Sequence, residues 1–215
     1  GLAGGIVSAV QFPETRILIF AKAPIPGQVK TRLIPALGAT GAARLHRRLL
    51  WQLLERLAPA GIAPLELWVT PDLSHPFFRA LAGRFDLSLH NQSGKDLGER
   101  MHQAVAWAQR DSEAVVLIGT DCPGLDAAYV ASALEALAGE DAVLGPAEDG
   151  GYVLLGLRRA APALFRAIPW GGERVAAITR ARMRELGWRW RELPVLWDVD
   201  RPADLDRMPA GDRAP

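Results

Sequence analysis

Four short segments concentrate the residues that could do chemistry. The first, Lys22-Ala-Pro-Ile-Pro-Gly-Gln-Val-Lys-Thr-Arg-Leu33, carries Lys22, Lys30 and Arg32 on a stretch stiffened by Pro24, Pro26 and Gly27. Preset torsions lower the ordering cost of binding, lysine and arginine neutralise charge, and backbone N–H groups donate hydrogen bonds, so such a loop suits a diphosphate; the same composition also makes a solvated basic loop. The second, Gln92-Ser-Gly-Lys-Asp-Leu-Gly-Glu-Arg-Met101, has two readings. Asp96 caps a helix with Glu99 three residues later, or Gln92, Gly94 and Arg100 contact a base or phosphate. The third, Gly119-Thr-Asp-Cys-Pro-Gly-Leu125, places Asp121 just after an apolar run, where a carboxylate can hold a hard cation such as Mg²⁺ or can cap a turn started by Pro123. The fourth group joins Glu148-Asp-Gly-Gly-Tyr152 to Trp197-Asp-Val-Asp-Arg-Pro202. Gly150 and Gly151 let a backbone approach a ligand, or serve a hairpin. Asp198 and Asp200, two apart, share one side of an extended segment, where they complete a cation site with Asp121 or cap a final helix.

Other chemistries are excluded. Gly27 to Thr31 lacks the second glycine of a P-loop, and no G-x-G-x-x-G occurs, so a dinucleotide site has no support. Leu2-Ala3-Gly4-Gly5 looks like a glycine-rich nucleotide loop but follows no strand, and we read it as terminal sequence. Cys122 has no cysteine partner and no neighbouring histidine to activate it. His46, His75, His90 and His102 show no metal-type spacing and read as structural or exposed. With 25 basic against 24 acidic residues, the net charge of +1 supplies no field to attract nucleic acid. The absence of a long apolar run argues against a membrane span, and one cysteine fits a reducing, cytoplasmic setting.

These loops need a frame. Short apolar runs alternate with stretches of helical spacing, the pattern of an α/β domain with a largely parallel sheet. Strands are expected at 16–20, 65–70, 85–90, 114–119, 141–144, 152–157 and 190–193. Helices are expected through Leu45, Leu49, Leu50, Leu53, Leu54 and Leu57, then at 76–83, 97–110, 126–138, in two pieces between 161 and 186, and at 203–208. The continuous apolar run Ala-Val-Val-Leu-Ile-Gly119 is what a central strand buried on both faces requires. With 215 residues, 49% of them hydrophobic, and no repeat or linker, the chain reads as one domain, 1–215. Residues 1–15 read as a leading segment and 209–215 as a frayed tail. Ligands of such sheets bind beyond the carboxyl ends of the strands, where the four segments fall.

Taken in order, the segments 22–33, 92–101, 119–124, 148–152 and Asp198-Val-Asp-Arg-Pro-Ala-Asp-Leu205 resemble one family over nearly the whole chain, from Arg16 to about Met208. It is the bacterial GT-A-type glycosyltransferase-like family known as "transferase 2, rSAM/selenodomain-associated", within the nucleotide-diphospho-sugar transferase superfamily. The resemblance implies a GT-A three-layer α/β sandwich, nucleotide on the first loop and a divalent cation near Asp121. The glycosyltransferase pattern has Asp-x-Asp after the central strand, whereas this chain has Thr120-Asp121-Cys122-Pro123, so Asp198 or Asp200 must supply the second carboxylate. Trp170 is followed by Gly171 and Gly172 where similar sequences place small hydroxyl residues, and Arg201 replaces a threonine.

The expected activity is therefore Mg²⁺- or Mn²⁺-assisted transfer from a nucleotide-diphosphate sugar to a small-molecule acceptor. Lys22, Pro24, Gly27, Lys30, Arg32, Gln92, Gly94 and Arg100 would bind the nucleotide, Asp121 with Asp198 or Asp200 the metal, and Gly150, Gly151, Tyr152 and Trp170 the acceptor. Asp149 would take the acceptor's proton. The alternatives are a nucleotidyltransferase joining a nucleoside triphosphate to a phosphorylated small molecule, and a non-catalytic nucleotide-binding module. The oligomeric state is open.

Overall fold

Apolar residues on both sides of Ala114–Ile118 place that strand in the middle of the molecule, and the other elements arrange around it. The computed structural model describes residues 9–213. Seven strands form one sheet: β1 (Thr15–Lys22), β2 (Leu65–Thr70), β3 (Ser88–Asn91), β4 (Ala114–Ile118), β5 (Ala142–Pro146), β6 (Tyr152–Leu157) and β7 (Trp190–Glu192), in the order β3-β2-β1-β4-β6-β5-β7. β1 pairs in parallel with β2 and β4, β2 with β3, and β5 with β7. Only β6 runs against its neighbours, β4 and β5. The expected mostly parallel α/β sheet is the observed one.

The side chains of β4 alternate between two cores. Val116 and Ile118 face α1 (Ile34–Leu57), α2 (Pro76–Arg84) and α4 (Ala127–Ala136), while Val115 and Leu117 face α3 (Leu97–Ala108) and α5 (Val175–Glu185). Helices on both faces give three layers, as the alternation of the sequence requires. Leu50, Leu53, Leu54 and Leu57 of α1 recur at three- and four-residue spacing and are fully buried. Asp96 and Asp126 cap α3 and α4, their side chains accepting from the amides of Glu99 (2.8 Å) and Tyr129 (2.9 Å). The capping reading of Asp96 is thus the observed one.

Several boundaries differ from expectation. The N-terminal lead-in is shorter, because Gln11 and Phe12 already donate to the carbonyls of Gly61 and Ile62 and β1 begins at Thr15. The terminal reading of Leu2 to Gly5 lies outside the described residues. α1 starts eleven residues before Leu45 and is broken at Gly38 (φ 74°, ψ 165°). At the other end, the expected frayed tail carries the short helix α7 (Ala210–Arg213), because Gln52 of α1 donates to Asp212 at 3.1 Å and Arg48 to the Gly211 carbonyl. The final helix is also shorter, α6 (Pro202–Leu205), and Asp204 caps it by accepting from the amides of Asp200 and Arg201. A third cluster, with Leu33, Leu45, Leu49, Val199 and Met208, pins this C-terminal segment onto the first loop and α1.

One contact fixes the entrance of α3. A Cβ on Gly98 would lie 2.1 Å from the Phe165 carbonyl oxygen and 3.0 Å from Trp170 Nε1. Glycine here lets the helix touch the 165–170 segment backbone to backbone. We expect Gly98→Ala to lower stability by about 1–3 kcal/mol in chemical denaturation. Gly83→Ala, on a helix with open space around its Cβ, is the control and should be neutral or stabilising by up to about 1 kcal/mol.

Candidate active site

β1 and β4 lie side by side while the chain leaves β1 for β2 on the opposite flank, so their carboxyl ends open a crevice where strand order reverses. Two adjoining cavities occupy it, of about 460 and 420 Å³. Both are bounded by Phe20, Lys22, Arg32, Leu97, Asp121 and Asp200. The smaller continues along Lys30, His46, Thr70, Gln92, Arg100 and Thr120. The larger continues along Met101, Asp149, Gly151, Tyr152, Trp170 and Asp198. Lys30, Gln92 and Arg100 therefore line only the smaller cavity, Gly151, Tyr152 and Trp170 only the larger, and Lys22 and Arg32 stand where the two meet.

At the junction, Lys30 Nζ lies 2.9 Å from Asp121 Oδ1 and donates to the Val199 carbonyl at 2.7 Å. The Val199 amide in turn donates to the Asp121 carbonyl at 2.8 Å. The lysine side chain is 4% exposed and the aspartate 46%, so the ammonium is enclosed while the carboxylate still faces the crevice. Lys30 reaches this position from a left-handed backbone (φ 47°) at the start of the 3-10 turn Thr31–Leu33. Burial alone would push the Asp121 carboxyl up, yet the charge and hydrogen bond of Lys30, with Lys22 beyond it, outweigh burial and hold it below the usual carboxylate range. The opposite holds for Asp198: burial first, then the carboxylates of Asp121 and Asp149, push it up to about 7.

Asp200 forms a 2.5 Å ion pair with Arg32. Both aspartates line the larger cavity, as the two-residue spacing predicts; Asp200 is paired with Arg32, whereas Asp198 faces the carboxylates of Asp121 and Asp149. Asp149 is exposed, and its Oδ1 accepts from the Gly151 amide at 2.9 Å, which aims the side chain along the cavity wall. Tyr152 and Trp170 meet edge to face with ring centroids 6.5 Å apart.

Four proposed contacts are not on the walls. Pro24 is buried and Gly27 lies in the exposed turn of the first loop. Gly94 closes the loop before α3, its carbonyl accepting from Arg100 Nε at 3.4 Å. Gly150 (φ 90°) packs on the far side, where a Cβ would lie 1.8 Å from the Glu173 carbonyl oxygen, so it holds the 148–152 loop against the start of α5. Glu148 likewise points away, paired with Arg207 at 2.6 Å.

Leu97 and Phe20 line both cavities without any chemical signal in the sequence, and His46, expected to be structural or exposed, is structural and lines the smaller one. His46 is 4% exposed and interrupts the apolar stripe of α1, three residues before Leu49 and four before Leu50, which was the available signal. Its Nε2 donates to the Lys22 carbonyl at 2.7 Å, and burial holds its pKa below the ordinary value, so the neutral ring braces the end of β1. Cys122 is buried, and burial followed by Asp198 pushes its thiol up to about 12, which leaves it protonated. Because Lys30 is the nearest counterion of Asp121, Lys30→Met should cost about 1–3 kcal/mol in denaturation at neutral pH, a buried-pair penalty reduced by the exposure of Asp121. A depressed carboxylate stabilises the fold above its unfolded pKa and loses that contribution as pH falls, so the variant should also show a shallower loss of stability on acidification.

The family model DUF2064, described as "uncharacterized protein conserved in bacteria", matches residues 53–172. Among solved structures, a "putative nucleotide-diphospho-sugar transferase" of Desulfovibrio desulfuricans G20 is 37% identical, with a TM-score of 0.81 over 88% of this chain and 84% of that one. Two more distant structures share the fold. A CMP:2-keto-3-deoxy-manno-octonic acid synthetase complexed with CTP is 11% identical (TM-score 0.56, 90% of this chain and 96% of that one). Glucosyl-3-phosphoglycerate synthase of Mycobacterium tuberculosis, in complex with Mn²⁺, UDP and glucosyl-3-phosphoglycerate, is 12% identical (TM-score 0.55, 89% and 74%). A search of curated proteins found no match. Sheet order, crevice and these likenesses agree, and the chain belongs to the DUF2064 family, with the nucleotide-diphospho-sugar transferase fold.

Proposed function

We propose that the chain is a transferase that uses a nucleotide-diphosphate sugar, with Mg²⁺ or Mn²⁺, and passes the sugar to a small-molecule acceptor in the cytoplasm. The observation that carries this reading is the division of charge along one crevice. Lys22, Lys30, Arg32 and Arg100 line the smaller cavity, while Asp149 and Asp198 line only the larger. A diphosphate belongs beside the cations and the reacting hydroxyl beside the carboxylates. Relatives in the same fold, bound to CTP, or to UDP with Mn²⁺, support a nucleotide ligand.

The donor set fits a divalent cation. Asp121 and Asp198 offer hard oxygen ligands close enough to repel each other, and Mg²⁺ commonly takes one or two carboxylates with substrate phosphates and water filling the rest. Among the described residues no group of three His, Cys, Asp or Glu side chains could hold a metal, so substrate phosphate or water oxygens would have to supply the other ligands. When bound, the cation would stabilise charge on the departing diphosphate. Lys22 and Arg32, at the junction of the cavities, would neutralise the same charge. Asp149 would accept the proton of the acceptor hydroxyl as its oxygen bonds to the anomeric carbon, while the electron pair of the broken carbon–oxygen bond leaves with the diphosphate.

Nucleotidyl transfer is the second reading, favoured by the four cations of the smaller cavity, which would hold a triphosphate equally well. Thermal shifts with nucleoside mono-, di- and triphosphates and diphosphate sugars, each with and without Mg²⁺ or Mn²⁺, separate the two. A ligand at about 100 times its Kd adds roughly 2.7 kcal/mol. We expect metal-dependent stabilisation by one diphosphate sugar, lost in Asp121→Ala with the fold intact. Preference for a triphosphate would establish the second reading, and binding without turnover across donors and acceptors would leave a nucleotide-binding module.

The buried Asp198 carboxyl, beside Asp121 and Asp149, gives an independent test. Between about pH 4 and pH 7 the folded protein holds a proton on Asp198 that the unfolded chain has released, so metal-free stability should fall as pH rises across this range. Asp198→Asn should flatten that slope. An unchanged slope in the variant would remove Asp198 from the proposed metal site.

A further inference from the structure

The two cavities differ in a way that bears on the acceptor, an argument that rests on the transferase reading above. Four carboxylates line the larger one, Asp121, Asp149, Asp198 and Asp200. Its only basic residues among the described ones are Lys22 and Arg32, both at the junction shared with the smaller cavity, and Arg32 is paired with Asp200. Beyond the junction the cavity has no lysine, arginine or histidine among the described residues. With Asp121 and Asp198 taken up by a cation and Asp200 by Arg32, a phosphate ester or carboxylate seated at the Tyr152–Trp170 end would still face the Asp149 carboxylate and find no charged side-chain donor. The remaining wall is apolar, with the edge-to-face corner of Tyr152 and Trp170 set against Met101, whose sulfur lies 3.9 Å from the Tyr152 hydroxyl.

We propose that the acceptor is an uncharged or cationic hydroxyl compound with a flat or alkyl body, and that phosphorylated and carboxylated acceptors are excluded. The body lies in the Tyr152–Trp170 corner, where an aromatic or aliphatic face gains area and a cation gains the ring electrons. The hydroxyl points to Asp149. This chemistry separates the two transfer reactions, because joining a nucleotide to a phosphorylated molecule requires a cationic acceptor room.

Three probes test the acceptor class without a donor: tyrosol (neutral), tyramine (cationic) and phenyl phosphate (anionic), titrated with Mg²⁺ present against wild type and Trp170→Ala. Trp170 dependence reports occupation of the larger cavity and discounts phosphate captured by the cationic one. We expect Trp170-dependent binding of tyrosol or tyramine at least about tenfold tighter than any such binding of phenyl phosphate. Asp149→Lys, on an exposed loop, serves if Trp170→Ala does not fold; it should weaken tyramine and admit phenyl phosphate. Trp170-dependent binding of phenyl phosphate equal to or tighter than that of the other two would overturn the proposal. So would failure of both tyrosol and tyramine to bind. A diphosphate sugar that still binds in either case would leave the donor assignment standing, so the two readings fail separately.

Discussion

Because Lys30 reaches Asp121 and the Val199 carbonyl together, the loop after β4 and the segment carrying Asp198 and Asp200 share one enclosed counterion. Taking an ammonium out of water is costly, and it is offset only where an acceptor and a carboxylate both meet it. The first loop supplies that ammonium from a left-handed backbone, the central strand supplies the carboxylate, and the C-terminal segment supplies the carbonyl. Around this contact the remaining charges sort themselves. Arg32 takes Asp200, which leaves Asp198 facing two other carboxylates. The unpaired acidity of the larger cavity is thus a product of how the cations were distributed.

The frame behind the site is simpler. β4 is apolar on both faces, so helices must cover both, and parallel pairing with β1 aligns the carboxyl ends of the two strands. That aligned edge puts the end of β1 beside Asp121. Neutral His46 braces the end of β1 from the helix side, so the rim is held by uncharged as well as charged contacts.

Much of this was legible in the residues. The apolar run before Gly119 identified the central strand, and the loops carrying Lys22, Asp121, Asp149 and Asp198 all came to the crevice. Local patterns carry that information, because burial on two faces and loops after strands are properties of short windows. Pairings between distant segments are not. That Lys30 pairs with Asp121, and Arg32 with Asp200, depends on contacts across 91 and 168 positions of chain. The two glycines after Asp149 part for a related reason, Gly151 lining the larger cavity and Gly150 not. Gly150 looked like room for a ligand, but the space above it is filled by the Glu173 backbone, which no neighbouring residue announces.

The contact between Lys30 and the Val199 carbonyl spans 169 positions, and Val199 and Met208 pack on α1 to close the third core. During synthesis, residues near the amino end emerge long before their partners, and contacts of such separation form late because the intervening loop must close first. The sheet from β1 to β4 can pair while the crevice still lacks one wall. A chain that stalls before residue 198 has the sheet, the first loop and Asp121, Asp149, Tyr152 and Trp170, but it lacks Asp198, Asp200 and the Val199 carbonyl that receives the Lys30 ammonium.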